Sequence, residues 1–158
     1  METRILFLAH VDESETTLPK VANEVLGASV ALARQCGGTL AIGLIGREVQ
    51  AAAESVAATG ASIFAVAGPE FEHPRYASDA AAVEAICAAT SPQIVIASGT
   101  SRFMRVMAGA AQRLKAHIDT HITSVEVNDG AVSAKRWLYR QRMEAVIRRE
   151  VRPWFLVL

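Results

Sequence analysis

The chain has 158 residues, 51% of them hydrophobic and 20% charged, with 10 Gly and 5 Pro. That is enough for one domain with its own core, and too apolar a composition for a disordered chain. Formal net charge is zero, which excludes general nucleic-acid binding as a class. Charge is nonetheless unevenly placed: residues 1–130 carry 9 basic and 14 acidic side chains, and residues 131–152 carry 7 and 2. Cys36 and Cys87 stand far apart without metal-ligand spacing, as reduced packing residues do. No apolar run is long enough to span a membrane, and Met1-Glu2-Thr3-Arg4 leads into a short strand-like run instead of a signal sequence. The cytoplasm is the expected compartment, with no membrane or nucleic-acid partner.

Residues 5–9 form an apolar run too short for a helix and bounded by His10-Val11-Asp12-Glu13, which predicts a central strand. Asp12 at its carboxyl end has the chemistry to accept from a ribose hydroxyl, with His10 beside it; turn and cap duties suit both residues better. After Leu18-Pro19, the stripe Val21, Val25, Leu26, Ser29, Leu32 and Ala33 predicts a long helix that ends at Cys36-Gly37-Gly38. Residues 39–45 read as a second strand. An alanine-faced helix then opens at Gly46-Arg47-Glu48 and closes before a third strand at residues 62–67. Residues 68–76, with two prolines and alternating charge, predict an exposed loop. Ser78 is expected to cap the next helix, with Asp79 at its positive end and Val83, Ile86 and Cys87 facing inward.

Residues 94–125 are the most informative stretch. Ile94-Val95-Ile96-Ala97 is a run suited to a strand buried on both faces, and Phe103, Val106, Met107, Ala110, Ala111 and Leu114 mark one helix face after it. In open α/β sheets ligands collect beyond the carboxyl ends of the strands, so Asp12, Gly99, Thr100, Ser101 and Arg102 form a candidate nucleotide site. Any strand-to-helix turn also favours Gly, Thr and Ser without a ligand. Strand and helix alternate four times up to Leu114. This predicts an α/β fold, a three-layer open and mostly parallel sheet of the Rossmann-like or adenine nucleotide alpha hydrolase-like kind.

Beyond Leu114 the pattern changes. A short strand region at residues 116–124 precedes Asp129-Gly130, a two-residue hairpin signal. From Ala131 the odd positions include Trp137, Tyr139, Met143, Ala145 and Ile147, and the even ones Arg136, Arg140, Arg142, Glu144 and Arg148. Period two with one apolar and one basic face predicts an antiparallel pair packed on one side. Residues 153–158 supply a last hydrophobic strand. One domain is therefore expected, with βα alternation over residues 1–115 and a strand-rich, antiparallel extension over residues 116–158. Arg136, Arg140, Arg142, Arg148 and Arg149 suit an acidic partner or an anion, or a solvated face that keeps a sheet edge from aggregating.

No catalytic constellation accompanies this plan. There is no Gly-Lys-Ser phosphate loop and no Gly-x-Ser-x-Gly elbow, and His10, His117 and His121 lack the spacing of metal ligands.

The order of residues 5–9 with an acidic turn, residues 94–101, Ala110-Ala111-Gln112-Arg113-Leu114 and residues 118–125 resembles the N-terminal domain of the electron transfer flavoprotein alpha subunit, over nearly the whole chain. The family's Ala-Thr-Ser-x-Gly-Arg-Asp segment is kept at Thr100-Ser101 and departs at Phe103-Met104-Arg105. Its Thr-Asp-Val stands as Thr120-His121-Ile122, and its Tyr-x-Gly as Tyr139-Arg140-Gln141, as in a divergent relative. The resemblance implies a non-catalytic structural domain with no cofactor in this chain alone. FAD would be held by a second, C-terminal domain of the family's alpha subunit, and the partner would be a beta-subunit-like protein or a second copy. It further implies that the chain ends about where the linker to the flavin domain would begin, and a gene encoding this domain alone is the expectation. The alternative from another class is a stand-alone AMP or ATP binder of the universal-stress-like type. Against it, His10-Val11-Asp12-Glu13-Ser14 after the first strand is acidic and would repel a triphosphate. No enzyme activity is expected.

Overall fold

Residues 4–10 become β1 (Arg4–His10), a central strand whose apolar side chains are buried on both faces because helices cover both sides of the sheet. The computed structural model describes residues 2–12 and 16–158. β1 pairs in parallel with β2 (Thr39–Gly46) and with β4 (Ile94–Ala97). β3 (Ser62–Ala67) extends the sheet beyond β2. On the other side β9 (Trp154–Val157) lies beside β4, and β5 (His117–Asp119) beside β9. The strand order is β3-β2-β1-β4-β9-β5, parallel throughout.

Alternation along each strand sends successive side chains into two cores. Ile5, Phe7, Ile42, Leu44, Ile94 and Ile96 pack against α1 (Lys20–Cys36) and α2 (Gln50–Val56). Leu6, Leu8, Val95, Ala97, Phe155 and Val157 pack against α3 (Tyr76–Thr90) and α4 (Ser101–Arg113). The α4 stripe is buried from Phe103 to Ala111 as its spacing predicts. Each large side chain it buries contributes about 1.5–3 kcal/mol. Gly43 is required where α3 crosses the sheet: a Cβ there would lie 2.6 Å from Leu8 Cδ2 and 2.9 Å from Ile86 Cγ2. Cys87 is a packing residue of that helix, and burial pushes its thiol up to about 12.

The boundaries differ from the sequence reading in several places: β2 runs on to Gly46 and α2 opens at Gln50, β5 covers only His117–Asp119 of the strand region expected at 116–124, and three further differences concern burial and capping. On α1 the buried stripe begins at Ala22 and Val21 is 37% exposed, because Ala22 stands three and four residues before Val25 and Leu26. α3 starts at Tyr76, two residues before Ser78, whose hydroxyl donates to the Arg75 carbonyl instead of capping a backbone N–H. Within residues 68–76 a 3-10 turn, Pro69–Phe71, buries Phe71.

Between β5 and β9 the chain leaves the main sheet to form a second, antiparallel one, β6 (Ser124–Asn128), β7 (Ala131–Leu138) and β8 (Met143–Ile147). Asp129 (φ 53°) and Gly130 (φ 75°) make the tight turn that the Asp-Gly pair predicts. Val132 and Ala134 join the core on the α1 side, with Val125, Val127 and Ile147 packed partly against it. The predicted split into one apolar and one basic face is corrected by the β7–β8 register. Trp137 stands opposite Glu144, Arg136 opposite Ala145, and Leu138 opposite Met143. The four residues between the strands make odd positions of one strand share a face with even positions of the other. Both faces are consequently mixed, and Trp137, Tyr139, Met143 and Val146 are exposed.

Candidate functional site

β1 leads through α1 to β2 on one side, while β4 leads through α4 toward β5 on the other, so the strand order reverses between β1 and β4. Ligands of open α/β sheets bind at such a switch point. The chain's own groups meet there. His10 Nε2 is 2.7 Å from Thr100 Oγ1, and His10 Nδ1 is 3.1 Å from the Val11 carbonyl. A carbonyl only accepts, so Nδ1 carries the proton and Nε2 accepts from the Thr100 hydroxyl. Thr100 in turn caps α4 by accepting from the Phe103 N–H at 3.3 Å. The imidazole stands edge-on to the Phe103 ring, with centroids 5.0 Å apart. His10 thus joins β1 to the start of α4, the structural duty that its turn position also allowed.

Burial is the main cause that lowers the His10 pKa below its usual 6.5, and the nearby Arg102 charge acts in the same direction. A histidine whose folded pKa lies below its unfolded value stabilises the fold above the unfolded value, and loses that contribution as pH falls toward the folded one. Unfolding free energy should therefore drop as pH falls below 6.5. In His10→Gln, which keeps an acceptor for Thr100 without titrating, the slope should be smaller. Urea midpoints measured across this range test it, and equal slopes in the two proteins would reject the assignment.

The other residues singled out in the sequence are placed as follows. Gly99 donates its N–H to the Leu158 carbonyl, and a Cβ on Gly99 would come within 2.8 Å of that oxygen. The Thr100 N–H donates to the Ser98 carbonyl at 2.8 Å. Ser101 is exposed at the first turn of α4. Arg102 turns inward: Nε and Nη2 grip Asp79 Oδ2 and Oδ1 at 2.7 and 2.6 Å, and Nη2 also donates to the Phe71 carbonyl at 3.2 Å. Both side chains of this pair are buried, at 3% and 0% exposure. The sequence reading placed Asp79 only at a helix end. Nothing in a separation of 23 residues signals the pair.

Asp12 lines a cleft of ≈ 190 Å³ with Val11, Thr16, Arg47, Glu48, Phe71 and Glu72, and none of residues 99–102 is among its walls. Its acidic side chains outnumber Arg47, which pairs with Glu72 at 2.7 Å. Small-molecule sites occupy about 300–1,000 Å³, so this cleft is small for a nucleotide as well as acidic. Glu13 and Ser14 of the acidic turn lie outside the described residues. Among the described residues no group of three or more His, Cys, Asp or Glu converges on a point, and no helix is long and apolar enough to cross a membrane.

A family model described as electron transfer flavoprotein domain matches residues 8–158. The chain belongs to the electron transfer flavoprotein domain family. No curated protein sequence matches it. Its family is flavin-associated and works through association with other electron transfer flavoprotein subunits. The matched span of this electron transfer flavoprotein domain runs from within β1 through the antiparallel sheet and β9.

Asp119 holds that far side together. It accepts from Arg149 Nε and Nη2 at 2.9 Å each and from the indole N–H of the buried Trp154 at 2.8 Å. The Arg149 hydrogen bonds are the largest cause that lowers the Asp119 pKa, and the Trp154 N–H acts in the same direction.

Proposed function

We propose that this chain is an alpha-subunit-like, non-catalytic assembly domain of a cytoplasmic electron transfer flavoprotein system, in which FAD belongs to the assembly and not to these residues alone. The observation that carries the reading is the state of the switch point. The Gly99 and Thr100 N–H groups, the Thr100 hydroxyl and the Arg102 fork, which a nucleotide phosphate would need, are all engaged within the fold. Association is supported by the distal end of the β7–β8 hairpin. Trp137, Tyr139 and Met143 are exposed there beside Arg140 and Arg142, a composition enriched at protein interfaces. Residues 131–152 carry net +5 and residues 1–130 net −5, so the hairpin is complementary to an acidic surface. Exposed ion pairs contribute only about 0.2–1 kcal/mol each, so charge orients the contact and the aromatic side chains hold it. The partner is a beta-subunit-like protein, or a second copy when the chain is alone.

Sedimentation with absorbance detection tests both parts. The isolated protein should sediment as a dimer at micromolar concentration without flavin absorption, and the double variant Arg140→Glu, Arg142→Glu should shift toward monomer at low salt. A monomeric wild type, or stoichiometric flavin in the boundary, would refute the proposal.

The alternative, a stand-alone AMP binder at Asp12, Gly99, Thr100, Ser101 and Arg102, has in its favour the placement of these residues around the switch point. AMP is the form it would take, since the carboxylates of Asp12, Glu48 and Glu72 disfavour longer phosphate chains.

A further inference from the structure

At the opposite end of the sheet, beside the amino ends of β1 and β4, a cleft of ≈ 610 Å³ opens against the β6–β7 turn and the segment that leads from β8 to β9. We infer that this cleft binds a small organic phosphate. Its walls include Thr3, Gln93, Arg148, Arg149 and Arg152, and Glu150 is the only carboxylate among them. The volume falls within the range of small-molecule sites.

Two of the three arginines are held in place by Trp154, which is itself fully buried. Its indole N–H anchors Asp119, and Asp119 grips the Arg149 fork. The Arg152 guanidinium lies 5.8 Å from the centroid of the indole ring and donates to the carbonyls of Arg149 and Val151. Asp119 balances the charge of Arg149. Neither Arg148 nor Arg152 has a carboxylate within 4.0 Å among the described residues, so the two leave an excess of one positive charge over Glu150. Guanidinium forks match phosphate oxygens two at a time. Nε and Nη2 of Arg149 are taken by Asp119 and Nη1 of Arg152 by carbonyls, so Arg148 supplies the open fork and Arg149 and Arg152 their remaining donors. Thr3 and Gln93 add a hydroxyl and an amide at the same wall. The Trp154 ring is buried and offers no face on which a base could stack. Recognition is therefore of the phosphate, and the organic part fills the remaining volume.

The site is remote from the switch point, so it stands or falls separately from the proposed function. Titrating the full chain with inorganic pyrophosphate and with ADP by calorimetry tests it. Both should bind at one site per chain, more weakly as salt rises. Arg148→Glu, an exposed position that leaves the Trp154 platform intact, should weaken both by about tenfold or more, and Arg152→Gln should do the same. Ser101→Ala should leave both affinities unchanged. The inference is overturned if neither probe binds saturably, if pyrophosphate binds without ADP, if Arg148→Glu binds like wild type, or if affinity follows Ser101 instead of the arginines.

Discussion

Arg102→Ala should destabilise the protein by about 3–5 kcal/mol, the cost of leaving a buried charge without its partner. Asp79 would stay at 0% exposure with both carboxylate oxygens stripped of their guanidinium donors. The loss would spread, because this one guanidinium ties the start of α4 to α3 and to the 3-10 turn at Phe71. Asp79→Ala should cost a similar amount. The double variant Asp79→Leu, Arg102→Met should recover much of the loss, since a well-packed apolar pair avoids the desolvation penalty that two charges carry. Urea unfolding measures all three, and a single variant within 1 kcal/mol of wild type would contradict the prediction. Loss of AMP binding in Arg102→Ala would therefore be informative only if that variant is shown to be folded.

The second large effect lies at Asp119. Asp119→Ala leaves the buried Trp154 N–H without an acceptor and releases Arg149, for an expected loss of roughly 2–4 kcal/mol, most of it from the indole. Arg149 is 40% exposed and regains water easily, so its share is small. The same carboxylate sets a pH dependence. Its folded pKa lies below the ordinary 3.8, so its contribution is complete above that value and is lost as pH falls through the folded pKa. Asp119→Asn should flatten the acid limb of the stability curve below about pH 4, while wild type continues to lose stability there. Because β5 is the edge strand beyond β9 among the described residues, amide exchange of residues 117–119 should rise first. Unchanged exchange at β5 together with an unchanged acid limb would show that Asp119 is dispensable.

Much of this fold is written locally in the sequence. Continuous apolar runs mark β1 and β4, three-and-four spacing marks α1 and α4, and Asp129-Gly130 marks the hairpin turn, because each signal depends on residues a few positions apart. The order of these runs was sufficient to point to the electron transfer flavoprotein family, which the family match bears out. That the carboxyl ends of β1 and β4 lie side by side was also legible. The use made of those residues was not.

Tertiary structure alone decided that Arg102 serves Asp79, 23 residues away, and that Asp119 is shared by Arg149 and Trp154, at separations of 30 and 35. A lone Asp or Arg in sequence carries no indication of which distant charge will neutralise it. The placement of β9 between β4 and β5 is likewise a long-range pairing, chosen by burial on both faces. The mixed faces of the β7–β8 hairpin follow from the register, and so from the four-residue connection, since one residue more or fewer would exchange every side chain between the faces. Periodicity within a strand says which residues share a face; only the pairing says which residues of the next strand join them.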